Sequence, residues 1–255
     1  MTGAPSAPAL PGVLSLEGRR VIVTGAASGI GQSAAACLAA LGADLVLTDR
    51  SALDATVAQV REARANAQPV CIQGDLTDSG LQARLLDQGP VFALASAAGV
   101  FGGAPDMSPA ESFEFVMGIN VRATMQLASA CVDQMIRQRQ GYVVLVGSAA
   151  GRNGGGLPND SQEYATYAAS KGGVHTLVRW LSRRAVGNGV LVNGVAPGIV
   201  ATPLSATLKI DTSILPMKRV GQPAELGWPI ALLCTPAASF ISGAILDVNG
   251  GMFVG

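Results

Sequence analysis

Tyr167 and Lys171 stand four residues apart in Tyr-Ala-Ala-Ser-Lys, inside a segment of helical period, so both side chains project from one face. An ammonium held beside a phenol stabilises the phenolate, and such a pair makes tyrosine a general acid/base. A free tyrosine titrates near pH ~10, and bringing it to about 7 takes roughly 4 kcal/mol of differential stabilisation. Tyr164 has Ala168 at its fourth following position, so the lysine selects Tyr167. Ser148 follows a β-branched run upstream and can offer a hydroxyl to the same reacting oxygen. An amphipathic helix with a tyrosine at its surface would show the same spacing, so the pair takes its meaning from its company.

That company includes a binding motif. Gly25-Ala26-Ala27-Ser28-Gly29-Ile30-Gly31 follows the run Arg20 to Thr24 directly and opens into an apolar helix. Glycines there permit a tight turn and let backbone N–H groups approach a pyrophosphate at a helix N-terminus. A glycine turn that merely packs helix on strand gives the same string. Asp49 ends the next run, where dinucleotide folds place a carboxylate on the adenosine ribose hydroxyls. It accepts from a 2′-hydroxyl and repels a 2′-phosphate, which favours NAD over NADP. Arg50 offsets part of that repulsion, so NADP stays possible.

These residues need a frame. Short β-branched runs at 20–24, 44–48, 70–73, 91–96, 142–146, 191–195 and 245–249 alternate with helix-period segments at 30–41, 51–65, 79–88, 109–138, 164–185 and 224–235. The alternation predicts an α/β chain with a doubly wound parallel sheet of about seven strands covered by helices on both faces. Residues 1–13, small and proline-rich, read as a flexible tail before one domain over 14–255. In the fourth helix Val116, Ile119, Ala123, Leu127, Cys131 and Ile136 approximate a 3.6 period.

Composition narrows the partners. Seventeen basic residues balance seventeen acidic ones, so no charge excess points to nucleic acid or an anionic membrane, and a small-molecule substrate is expected. Four scattered cysteines and one histidine fit neither a metal site nor a disulfide scaffold. The apolar runs read as too short to span a bilayer, and residues 1–16 lack the basic start of a signal peptide, so a cytoplasmic location is expected.

The glycine pattern, Ser148, and Tyr167-Ala168-Ala169-Ser170-Lys171 together resemble the short-chain dehydrogenase/reductase family. The resemblance extends from Leu16 to Gly251 and includes Asn120, the stretch Asn193 to Thr202, and Asp247-Val248-Asn249-Gly250-Gly251. That ending is similar to the 3-oxoacyl-carrier-protein reductase branch. The resemblance implies a Rossmann fold and an oxidoreductase that interconverts a secondary alcohol and a ketone. It makes Tyr167 the acid/base, has Ser148 polarise the substrate oxygen, and has Lys171 bind the nicotinamide ribose. Lys171 and the cationic oxidised nicotinamide together bring Tyr167 toward neutrality, and Asn120 holds a relay water. It also puts Asp75 and Leu76 at the adenine, and Ala97, Ala98, Gly99, Pro197, Gly198, Val200 and Thr202 along the cofactor, although Asp75 and the Pro197-Gly198 pair could equally be turn residues. A homo-oligomer, dimer or tetramer, is implied as well, paired through the long helices around Asn120 and Tyr167.

Two departures stand out. Ser96-Ala97-Ala98-Gly99 replaces the family's Asn-Asn-Ala-Gly, which predicts a rearranged hydrogen-bond pattern or a less rigid sheet there. The glycine-rich stretch Arg152 to Asp160 lengthens the Ser148 to Tyr167 interval, as a substrate-facing lip tipped by Leu157-Pro158 or as a slack surface loop. A 3-oxoacyl-thioester reductase and a catalytically silent dinucleotide-binding protein are the alternative functions. An epimerase of the extended branch would need a larger C-terminal lobe than the chain has after Asn193. In the stretch Val200 to Arg219, Leu204, Leu208, Ile210, Ile214, Leu215 and Met217 suggest an apolar or mixed cover over the substrate.

Overall fold

A computed structural model describes residues 12–155, 161–206, 208 and 210–255. The tail expected over 1–13 lies outside the described residues except for Gly12 and Val13, which open a short 3₁₀ turn.

Seven strands form, each from one of the β-branched runs: β1 (Arg20–Thr24), β2 (Asp44–Thr48), β3 (Val70–Cys71), β4 (Ala93–Ser96), β5 (Gly141–Val146), β6 (Val190–Pro197) and β7 (Ile245–Val248). They pair in the order β3-β2-β1-β4-β5-β6-β7, and every pairing is parallel. Growth of the sheet reverses between β1 and β4, which opens a crevice at their carboxyl ends.

Period-two alternation sorts the strand residues between two cores. Val21, Val23, Leu45, Leu47 and Val144 pack with Leu38 of α1 (Gly29–Ala40) and Ile230 of α8 (Pro223–Leu233). Ile22, Val46, Leu94, Val143 and Leu145 face the opposite way. They meet Leu127, Val132 and Met135 of α5 (Thr124–Gln138) and Val178 and Leu181 of α7 (Gln162–Ala185). Each such side chain, fully withdrawn from water, contributes on the order of 1.5–3 kcal/mol before entropy is counted. The smaller helices are α2 (Asp54–Ala63), α3 (Ser79–Leu86), α4 (Pro109–Met117) and α6 (Ala150–Asn153). Proline at the first turn and a capping box, Ser108 with Glu111 and Gln222 with Glu225, fix where α4 and α8 begin.

Three expectations are corrected. The fourth helical segment is not one α-helix, because Gly118–Ala123 forms a π turn between α4 and α5. The same run Pro109–Gln138 is apolar and long enough to cross a membrane by composition alone, yet Leu127, Cys131, Val132 and Met135 are buried against the sheet. The stretch after Ser148 does not start as a slack loop, since Ala150–Asn153 is the helical turn α6. Arg152 fastens it to β7, bonding the Ile245 carbonyl at 2.8 Å and the Asp247 carboxylate at 3.2 Å. Gly156 to Asp160, including the Leu157-Pro158 tip, lie outside the described residues.

Candidate active site

Register brings the site together. Thr24 of β1 lies opposite Ser96 of β4, Ser96 opposite Leu145 of β5, and Val146 opposite Val195 of β6. The loops leaving these strands therefore meet along one edge.

At the β1 side the loops touch backbone to backbone. Gly25 has φ +65°, and a Cβ on it would fall 2.6 Å from the Ala98 nitrogen. A Cβ on Gly31 would sit 2.1 Å from the Gly25 carbonyl oxygen, so this glycine lets α1 start hard against the turn. Between the turn and its neighbours runs a cleft of about 320 Å³, lined by Gly25, Ser28, Gly29, Ile30 and Gly31 and by the ends of the adjoining strands. The cleft takes in Asp49, Arg50, Asp75, Leu76, Ala97, Ala98, Gly99 and Thr202. Asp49 is held in place by N–H donors from Ala27 at 3.0 Å and Ser51 at 2.9 Å. Asp75 spends one carboxylate oxygen on the backbone and hydroxyl of Thr77, both at 2.8 Å. The Thr77 backbone N–H holds its carboxyl below the usual range despite some burial, and the Thr77 hydroxyl and Arg50 add to the effect. The turn role and the cleft position of Asp75 thus coexist.

The missing family amides are replaced. The Thr24 hydroxyl accepts from Ala98 N–H at 3.1 Å and lies 3.4 Å from the Ser96 hydroxyl, so the β4 end is tied through β1. Gly198 and Val200 do not line this cleft. They border a second cavity of about 200 Å³ with Leu215, Met217, Asp247 and Met252. Pro197 ends β6 and accepts the Ala149 N–H at 2.8 Å.

On the β5 side the site is built from side chains. Gly147 donates to Val195 at 2.8 Å, which sets the turn that presents Ser148. The Ser148 hydroxyl oxygen accepts the Ala150 N–H at 3.1 Å, and its own proton is directed at the Tyr167 phenol. α7 supplies Tyr167 and Lys171, with the ammonium 5.8 Å from the Tyr167 ring centre and donating to the Val146 carbonyl at 3.0 Å. A Cβ on Gly99 would be 3.2 Å from Lys171 Nζ and 3.3 Å from Asn120 Oδ1, so the cleft and this cluster share a wall.

Burial dominates the electrostatics. It pushes the Tyr167 phenol up to about 12, against a lowering hydrogen bond from Ser148, with the neighbouring Tyr164 adding a smaller rise. Lys171 is pulled down to about 8 by burial. The expected slide of Tyr167 toward neutrality is therefore not a property of the chain alone, because desolvation outweighs the Ser148 hydrogen bond.

Asn120, in the π turn, has both amide hydrogens and its oxygen bonded. Its oxygen accepts from Val100 N–H at 2.8 Å, and its amide donates to the Val100 carbonyl at 2.8 Å and to Ser170 Oγ at 2.9 Å. It braces the turn after β4. That turn carries Phe101, whose ring lies 5.1 Å from Tyr167 and 5.5 Å from Tyr164, forming an aromatic wall. Sequence reasoning missed Phe101, Thr24 and Arg152. Their signals were a phenylalanine in an aromatic-poor chain, a threonine registered with Ser96, and an arginine paired with an aspartate 95 residues away.

The short chain dehydrogenase family model matches residues 19–212. The chain is 34% identical over 255 residues to galactitol 2-dehydrogenase (L-tagatose-forming) of Cereibacter sphaeroides, covering 95% of this chain and 98% of that one. It is 32% identical over 249 residues to 3-oxoacyl-[acyl-carrier-protein] reductase FabG of Vibrio cholerae, covering 94% and 100%. A solved 3-oxoacyl (acyl-carrier-protein) reductase from Agrobacterium tumefaciens, with NADP bound, superposes with a TM-score of 0.82 at 26% identity, covering 94% and 96%.

Proposed function

The chain belongs to the short-chain dehydrogenase family, and from that premise we propose that it interconverts a secondary alcohol and a ketone, with Tyr167 as general acid/base. The observation that carries the reading is the convergence of Ser148 and Lys171 on Tyr167, with Lys171 set against Gly99 of the glycine-turn cleft. The glycine turn fits a nicotinamide dinucleotide, because the lack of side chains at Gly25 and Gly31 lets the turn pack against Ala98 and start α1 at once, leaving backbone N–H groups and a helix N-terminus at the cleft. When bound, that cofactor supplies the hydride in reduction and accepts it in oxidation.

The chain's own residues handle the oxygen. Ser148, which donates to the Tyr167 phenol in the open site, turns its proton toward the substrate oxygen, and Tyr167, kept protonated by burial, delivers a proton to the same oxygen in reduction. Lys171 places a cation beside the phenol and offers its remaining N–H bonds to the nicotinamide ribose. Asn120 acts by bracing the Val100 turn, and with both amide hydrogens engaged it offers a relay water only the second lone pair of its side-chain oxygen. A catalytically silent binding protein would have no need of this assembled triad.

Asp49 supports NAD as the preferred cofactor. A carboxylate about 5 Å from a phosphate charge is opposed by roughly 3 kcal/mol at an effective dielectric near ~20. Arg50 is exposed and lines the same cleft, so NADP is the weaker alternative. In this reading the remaining cofactor contacts are the cleft residues through Thr202, while Gly198 and Val200, which border the second cavity, shape the segment that carries Thr202. The substrate is a small neutral alcohol or ketone set against Phe101 and Tyr164. A 3-oxoacyl thioester is the second choice, favoured by the likeness to the reductases above.

We also place the enzyme in the cytoplasm, in keeping with its free cysteines, and read it as a homo-oligomer, a tetramer or dimer. Exposed Phe113, Met125 and Trp180 on the helical layer support association. Light scattering at 25.7 kDa would remove that assignment.

The deciding experiment measures reduction of a ketone panel and oxidation of an alcohol panel with each cofactor, for the wild type and two variants. Tyr167→Phe is expected to lower kcat at least about a hundredfold with cofactor affinity unchanged, and Tyr164→Phe to keep activity. The opposite pattern would overturn the assignment.

A further inference from the structure

The chain has a single histidine, and the mechanism above does not use it. His175 lies one turn beyond Lys171 on α7 and is 3% exposed. Its Nε2 accepts the Ser148 backbone N–H at 3.4 Å, while the ring donates to the Gly151 backbone. A neutral imidazole protonated on Nδ1 satisfies both neighbours at once. Gly147 provides the room, since a Cβ there would come within 2.2 Å of Nε2.

The Ser148 turn is held on its sheet side by bonds to Val195 and Pro197 of β6 and by Arg152 on β7. Those contacts fix it relative to the strands. His175 joins it to the helix that carries Tyr167 and Lys171, so the two halves of the proton-handling pair are referenced to each other through the imidazole. We propose that His175 is a positioning residue, a buried neutral strut between α7 and the Ser148 turn that sets where the Ser148 hydroxyl stands relative to Tyr167. Burial, with the cations of Arg152, Arg179 and Lys171 around it, holds the ring well below its usual titration range, down to about 4. The strut therefore stays neutral where the enzyme works.

The inference rests on Ser148 donating to the substrate oxygen, and its first test is independent of activity. Because there is one histidine, its ¹⁵N shifts in the labelled wild-type protein are unambiguous. They are expected to show the Nδ1–H tautomer from about pH 5.5 to about pH 9. A doubly protonated ring, or a proton on Nε2, would overturn the strut.

The second test reads kcat against cofactor affinity. His175→Leu is expected to lower kcat about tenfold or more, with the cofactor Kd from fluorescence titration unchanged, because small displacements of reacting groups are costly. His175→Gln, whose side-chain oxygen can accept from Ser148, should recover most of the loss. In a Ser148→Ala background, His175→Leu should cost nothing further. Equal fractional losses in both backgrounds, or no loss in either, would refute the positioning role. A His175→Leu chain that fails to fold leaves the decision to the glutamine variant and the tautomer measurement. A wild type without oxidoreductase activity would remove the proposed function, and the ¹⁵N shifts would still decide the strut.

Discussion

Around Gly25 to Gly31 the site is made by the absence of side chains, with backbone meeting backbone at distances no Cβ tolerates. Between Ser148 and Lys171 it is made by buried polar side chains that must each be satisfied: Ser148 by Ala150, Lys171 by Val146, Asn120 by Val100 and Ser170. The first half gains its shape from a few φ angles and is insensitive to pH. The second is dominated by desolvation, which moves Tyr167 and Lys171 in opposite directions. A grip built from backbone and a reacting centre built from dry polar groups should fail in different ways.

The largest effect is expected at the grip. Gly25→Ala forces a side chain into the left-handed region and against Ala98, at a cost of about 1–3 kcal/mol for each source of strain. Cofactor Kd should rise roughly a hundredfold in a fluorescence titration, while Tyr167 and Lys171 keep their surroundings. An unchanged Kd would mean that the cradle does not hold the cofactor.

The reacting half should show itself in pH. Lys171 is lowered from 10.5 to about 8, so its ammonium is present below that value and lost above it, whereas Tyr167, raised to about 12, stays protonated throughout. Ketone reduction should therefore be level near neutrality and fall about tenfold per pH unit above ~8. A profile flat to pH ~10 would show that Lys171 does not act as a cation, and would erase the contrast between the halves.

The smallest effect sharpens the comparison from within the grip. Asp49→Ala should narrow the ratio of kcat/KM for NAD over NADP several-fold, since water screens part of the roughly 3 kcal/mol repulsion. Equal wild-type values for the two cofactors would show that Arg50 overrides the acid.

The two halves also differed in how far the sequence disclosed them. β1 and β2 were readable to the residue, because a buried parallel strand must be a short β-branched run bounded by turn residues. The glycine turn and Asp49 follow each other locally, so spacing alone located them. Ser148, Tyr167 and Lys171 were found by residue type, but what surrounds them was not. α6 is four residues without an apolar period, and the Arg152 to Asp247 pair joins segments distant in sequence. The tilt of the Tyr167 titration depends on how completely the site excludes water, which no spacing reports. His175 shares a helix face with Lys171, and only its contact with Ser148, which no spacing reports, ties it to the site.

The π turn at Gly118–Ala123 has a consequence for chain length. A π turn takes in one residue more than an α turn, so it works as a phase shift written into a single long rod. Ahead of it Ser112 and Val116 point inward. Behind it Leu127, Cys131 and Met135 are buried on the sheet, and Asn120 in the middle faces Val100. Removing one residue from this segment would let the wide turn close into a regular helix while α4 and α5 keep the faces they now present to the core. What the shortening would disturb is the wide turn itself, which holds Asn120 against Val100. A shortened variant should therefore keep its core and lose the Asn120 bridge.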